Sequence, residues 1–112
     1  GDLVLKALAA FLRTHVRHAD MICRYGGEEF VVLMPQSTLV QAFQLADRLR
    51  EEIAASPFPL SQGVVHFTVS IGVATLENHM NGEDLVKSAD AALYRAKQSG
   101  KNRVCCPEER EV

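Results

Sequence analysis

The sequence has 112 residues, a length that holds one compact domain. It is 47% hydrophobic and 23% charged with a formal net charge of -2, which excludes a disordered chain and a strongly basic binder of nucleic acid or anionic membrane. No apolar run approaches the ~20 residues that cross a bilayer, so no direct membrane contact is expected of this segment.

The first element is a helix. Val4, Leu8, Phe11, Leu12 and Val16 fall on one apolar stripe and predict a helix over 2–16, with Asp2 at its positive end as a cap. Residues 21–25 and 29–34 read as two short strands joined through Gly26-Gly27, a β-hairpin that Pro35 closes because it has no donor for a ladder. Residues 38–55 predict the middle helix, opened by a capping box from Thr38 and Gln41. Leu39, Ala42, Phe43, Ala46, Leu49 and Ile53 line one face of it, while Gln44, Asp47, Arg48, Glu51 and Glu52 lie away from that face. Pro57 and Pro59 end it.

Residues 64–75 alternate strictly and predict one long strand. Val65, Phe67, Val69, Ile71 and Val73 make its bulky face; His66, Thr68, Ser70, Gly72 and Ala74 make a small one that a helix or ligand can approach closely. A last helix is expected over 83–98, with Leu85, Ala89, Leu93 and Ala96 inward and Gly100 as its stop. A short strand at 103–106 and a frayed tail at 107–112 complete the chain. The order α-β-β-α-β-α-β predicts an α+β fold with helices on an antiparallel-containing sheet. One more strand before the first helix would complete a ferredoxin-like β-α-β-β-α-β pattern.

Two clusters carry candidate chemistry. In Arg24-Tyr25-Gly26-Gly27-Glu28-Glu29-Phe30, the glycines let backbone come close to a phosphate or a base, and the carboxylates suit Mg²⁺. Adjacent strand residues point to opposite faces, so only one of Glu28 and Glu29 is a direct ligand in a given site. By themselves these residues describe a solvated, acid-protected turn better than a site. Lys97 and Lys101 flank the stop of the last helix, where the helix dipole favours cations in any case; the functional alternative is a pair of amines that neutralises a triphosphate. His15, His18, His66 and His79 have no metal-ligand spacing. Cys23, Cys105 and Cys106 have neither the even count of a disulfide framework nor a zinc spacing, which points to a reducing, cytoplasmic compartment.

The hairpin heptad resembles the signature of the GGDEF family of diguanylate cyclases, in its Gly-Gly-Glu-Glu-Phe form. Gly1-Asp2 is similar to the end of the family's Gly-His-x-x-Gly-Asp segment, and Val69-Ser70-Ile71-Gly72-Val73-Ala74 to its long strand. Ala89-Asp90-x-Ala92-Leu93-Tyr94-x-Ala96-Lys97 and Gly100-Lys101-Asn102 resemble its closing helix and turn. The motifs follow the family's order along nearly the whole chain, so residues 1–106 are expected to be a GGDEF domain with a nucleotidyl-cyclase-like fold, incomplete at its N-terminus.

The resemblance implies an enzyme that condenses two GTP into the bacterial second messenger cyclic di-GMP and two pyrophosphates, as a homodimer with Mg²⁺ or Mn²⁺. Asp2 would read the guanine edge and Leu5 would pack near the base. Gly26 and Gly27 would admit the nucleotide, Glu28 would bind the metal, Glu29 would support it, and Lys97 and Lys101 would contact phosphates. Arg17-His18-Ala19-Asp20, five residues before Gly26, resembles the family's Arg-x-x-Asp inhibitory site for cyclic di-GMP, with Arg48 as a secondary contact; a surface ion pair is the simpler alternative. An upstream sensory or regulatory domain is implied as a partner. So is a strand before Gly1 that carries a second metal-binding Asp and, after it, an Asn for guanine. Without them Glu28 makes a weak Mg²⁺ site, and the chain by itself is expected to be inactive and prone to strand exchange. A non-catalytic cyclic di-GMP or GTP receptor, or a dimerisation module, is the rival reading; the intact Gly26-Gly27-Glu28-Glu29-Phe30 argues against it.

Overall fold

A computed structural model describes residues 2–16, 20–25, 29–34 and 37–107. In chain order its elements are α1 (Asp2–His15), β1 (Met21–Tyr25), β2 (Glu29–Leu33), α2 (Leu39–Ala55), β3 (Phe58–Leu60), β4 (Gly63–Val65), β5 (Ile71–Gly72), α3 (Gly82–Gln98) and β6 (Val104–Cys105). The fold is α+β, and the chain divides into two units: Gly1–Ser37 with Phe58–Val65, and Thr38–Pro57 with His66–Val112.

The first unit joins α1 to two hairpins. On α1 the predicted stripe is inward: Leu12 is buried, and Val4, Leu8, Phe11 and Val16 are half-buried. Phe11 anchors the helix end, stacking on His15 at 3.9 Å between ring centroids and meeting Phe58 edge-on at 5.9 Å. The Thr14 hydroxyl donates to the Phe11 carbonyl at 2.8 Å. Strands β1 and β2 pair antiparallel from Met21↔Leu33 to Tyr25↔Glu29, as the sequence predicts.

The second hairpin was not expected. Strands β3 and β4 pair antiparallel across Ser61-Gln62, with Phe58 opposite Val65 and Leu60 opposite Gly63. Gly63 has φ +125°, a conformation that side chains resist. The prolines around Phe58 read as helix terminators, and so they are, but Pro59 also sits in a short strand that does not need its missing donor.

The second unit holds α2, α3 and the only parallel pair among the described residues, β5 with β6. The predicted capping box of α2 is present: Thr38 Oγ1 accepts from the Gln41 N–H at 3.1 Å, and Gln41 Oε1 accepts from the Thr38 N–H at 2.9 Å. Helix α3 has its own box, Asn81 with Asp84, at 2.8 and 3.1 Å. The buried apolar residues here are Ala46, Leu49 and Ile53 of α2, Val73, and Ala92 and Ala96 of α3.

The long strand expected over 64–75 is divided. Only 63–65 and 71–72 carry ladders, to different partners. The side-chain alternation nevertheless persists between them: Val65, Phe67 and Val69 are half-buried, while His66 and Thr68 are exposed. Alternation is a property of extended backbone, whereas a strand needs a hydrogen-bonding neighbour as well. The small face of this segment has the predicted use at Gly72, where a Cβ would run into the backbone of Ala89 and Leu93 on α3. Pro107 is half-buried, and the rest of the expected tail lies outside the described residues.

Candidate functional site

In the first unit, the candidate nucleotide residues belong to α1 and the β1–β2 hairpin. Asp2 is the first residue of α1, and Leu5, one turn later, is half-buried. Tyr25 and Glu29 face each other at the end of the ladder. Gly26, Gly27 and Glu28 lie between them in the chain and outside the described residues, as does Arg17 of the candidate inhibitory pair. Glu29 opens β2. Asp20 stands just before β1, only 9% exposed, and it has an interaction partner, as a buried carboxylate requires. That burial departs from the simple surface ion pair that the bare string allows.

The cationic candidates belong to the second unit. Arg48 is exposed on α2, Lys97 is exposed in the last turn of α3, and Lys101 is exposed just beyond it. The chain leaves α3 through Ser99, whose N–H donates to the Arg95 carbonyl at 2.9 Å and whose hydroxyl donates to the same oxygen at 2.7 Å. Gly100 then takes φ +127°, with the Arg103 guanidinium packed where a Cβ would stand. Lys101 and Asn102 follow at φ 63° and 48°. The Lys101 N–H donates to the Ala96 carbonyl at 3.0 Å, and its own carbonyl accepts from Arg103 Nε at 3.1 Å. Both polar backbone groups of Lys101 are therefore tied down, and its ammonium extends from a fixed base.

Sequence reasoning missed the second tie on this turn. Arg50 of α2 donates through Nη1 to Asn102 Oδ1 at 3.1 Å, through Nε to Asp47 Oδ1 at 2.9 Å and through Nη2 to Glu51 Oε1 at 3.4 Å. The Asp47–Arg50 half was legible as an acid and a base three apart on a helix. The Asn102 half joins residues 52 apart, and no local pattern signals it. Arg95 also donates from Nη2 to the Cys106 carbonyl, tying α3 to the end of β6. Among the described residues no group of His, Cys, Asp and Glu could hold a metal ion, no buried side-chain polar atom lacks a partner, and no helix is long and apolar enough to cross a membrane.

Comparison with known proteins agrees with the motif reading. The family model described as diguanylate cyclase, GGDEF domain, matches residues 1–103. Diguanylate cyclase DgcP of Pseudomonas aeruginosa is 47% identical over 104 residues, which cover 93% of this chain and 16% of that protein. Response regulator PleD of Caulobacter vibrioides is 46% identical over 107 residues, covering 93% of this chain and 24% of that protein. The chain thus spans less than a quarter of the length of these relatives. Among solved structures, the active GGEEF domain of a diguanylate cyclase from Vibrio cholerae superposes with a TM-score of 0.85 at 31% identity, over 97% of this chain and 69% of that one. The GGDEF domain of DgcB from Caulobacter crescentus, in complex with c-di-GMP, gives 0.86 at 28% identity, over 94% of this chain and 63% of that one.

Proposed function

The chain belongs to the diguanylate cyclase GGDEF-domain family, and from that premise we propose that it binds GTP for condensation into cyclic di-GMP. The observation that supports this best is the family match over residues 1–103, which includes an uninterrupted Gly26-Gly27-Glu28-Glu29-Phe30 whose last two residues open the strand paired with β1. Two copies each present one GTP. The 3′-oxygen of each nucleotide bonds to the α-phosphorus of the other, and the bond to each pyrophosphate breaks. Two GTP therefore give one cyclic dinucleotide and two pyrophosphates.

In this reading Asp2 accepts from the guanine edge, and Leu5 covers one side of the base. Gly26 and Gly27 let the hairpin backbone approach the phosphates without a Cβ between. Lys97 and Lys101 offset the triphosphate charge, which lowers the repulsion felt by an incoming oxygen and steadies the departing pyrophosphate. Catalysis rests on holding two nucleotides in line as much as on charge. The carboxylates of Glu28 and Glu29 are hard oxygen donors that suit Mg²⁺ or Mn²⁺, with Glu28 as ligand and Glu29 in support. The bound ion would supply Lewis-acid stabilisation of phosphoryl charge and a more acidic 3′-hydroxyl. Arg17 and Asp20 form the proposed feedback site for the product, with Arg48 of a neighbouring domain as a secondary contact. Use of GTP implies a cytoplasmic location, and sensory or regulatory domains are the proposed partners.

The test is turnover by the full-length protein with GTP and Mg²⁺. Cyclic di-GMP and pyrophosphate should form in a 1:2 ratio, and product should bind with lower affinity to Arg17→Ala and Asp20→Ala. Tight cyclic di-GMP binding without turnover would instead establish a receptor.

A further inference from the structure

The turn after α3 contains more left-handed backbone than a helix stop requires. One residue of positive φ ends a helix, and Gly100 supplies it. Lys101 and Asn102 then continue in the same region without being glycine. Such backbone persists only where surrounding contacts over-determine it. Those contacts are present: the Ala96 carbonyl holds the Lys101 N–H, Arg103 holds the Lys101 carbonyl, and Arg50 reaches from α2 to the Asn102 side chain. The Arg50 side chain is 17% exposed and is itself held through Nε by Asp47. A guanidinium suits this place because its planar fork bonds two partners at once in fixed directions; a lysine ammonium does not.

We infer that Arg50 is a positioning residue for Lys101: through Asn102 it fixes the left-handed turn that aims the Lys101 ammonium at a nucleotide phosphate. This rests on the reading of Lys101 as a phosphate contact, and adds that the contact depends on a clamp from another helix. Arg50 touches no substrate in this scheme. Its loss acts on nucleotide affinity only by letting the lysine wander, which costs part of one charge-assisted bond.

The test uses the full-length protein and 3′-deoxy-GTP, which lacks the attacking hydroxyl and so reports binding alone, with Kd measured by calorimetry. Lys101→Ala should weaken binding about tenfold, the size of one lost charged hydrogen bond. Arg50→Gln and Asn102→Gly should each weaken it about three- to tenfold. Asn102→Gly is the cleaner of the two, because glycine accepts the positive φ without strain while removing the side-chain amide, so a loss of affinity reports the missing clamp and not a backbone that the new residue resists. Placed in a Lys101→Ala background, both should have no further effect. An equal loss with and without Lys101 overturns the positioning role, as does an unchanged Kd in Asn102→Gly. An unchanged Kd in Lys101→Ala itself overturns the phosphate reading, and the inference falls with it.

Discussion

The hairpin unit and the helical unit are held together by different means. In the second, α2 and α3 each begin with a complete capping box, Ile53, Ala92 and Ala96 are essentially sealed from water, and Gly72 admits α3 to backbone contact. In the first, the described buried residues are Leu12, Phe58 and Asp20, while Met21 and Leu33, at the base of the hairpin, are 57% and 41% exposed. The heptad that marks the family belongs to this first unit, and the proposed phosphate lysines belong to the second. The difference teaches that one chain can be stabilised in two ways: by capped helices closing on a sealed core in one unit, and by an amphipathic helix with two antiparallel ladders in the other.

Four substitutions would break or sharpen that contrast. The largest effect is expected from Glu28→Gln, which removes a proposed metal ligand: turnover should fall by roughly a thousandfold, about 4 kcal/mol of transition-state stabilisation, with unfolding changed by less than about 0.5 kcal/mol. A comparable loss of stability would make the hairpin a structural element rather than a site. Next is Ile53→Ala, at 1% exposure, which should destabilise by about 3–4 kcal/mol in urea titration through lost burial and a residual cavity. Gly72→Ala should cost about 2–3 kcal/mol, since its Cβ meets Ala89 and Leu93 main chain that cannot rotate aside. A neutral result at Gly72 would mean that α3 is free to shift. The smallest effect belongs to Asn81→Ala, where loss of one helix cap should lower stability by about 1 kcal/mol.

Much of the fold is legible residue by residue. Helix α1 and strands β1 and β2 stand within a residue of their expected ends, because each is bounded by local chemistry: a stripe of period 3.6, a Gly-Gly break, a proline. Thr38 with Gln41 announces α2 for the same reason. Asn81 with Asp84 announces α3 by the same chemistry. The family, and with it the candidate site, was legible in a different sense. Gly26, Gly27, Glu28 and Glu29 taken singly fit an ordinary turn, and their meaning came from other motifs in family order, a relation among segments rather than a property of any one.

What the sequence by itself determined is local periodicity, helix ends, the first hairpin and family membership. Beyond that hairpin, which strand bonds to which was decided by tertiary structure. From Val65 to Val69 the side chains alternate as a strand should, yet the ladders lie on either side of that stretch, because pairing depends on a neighbour that periodicity does not name. The parallel meeting of Ile71 with Val104, and the reach of Arg50 to Asn102, are likewise contacts between distant residues. They arise because α3 packs its small residues on Gly72 and brings its C-terminal turn back to α2, a consequence of packing that no window of sequence contains.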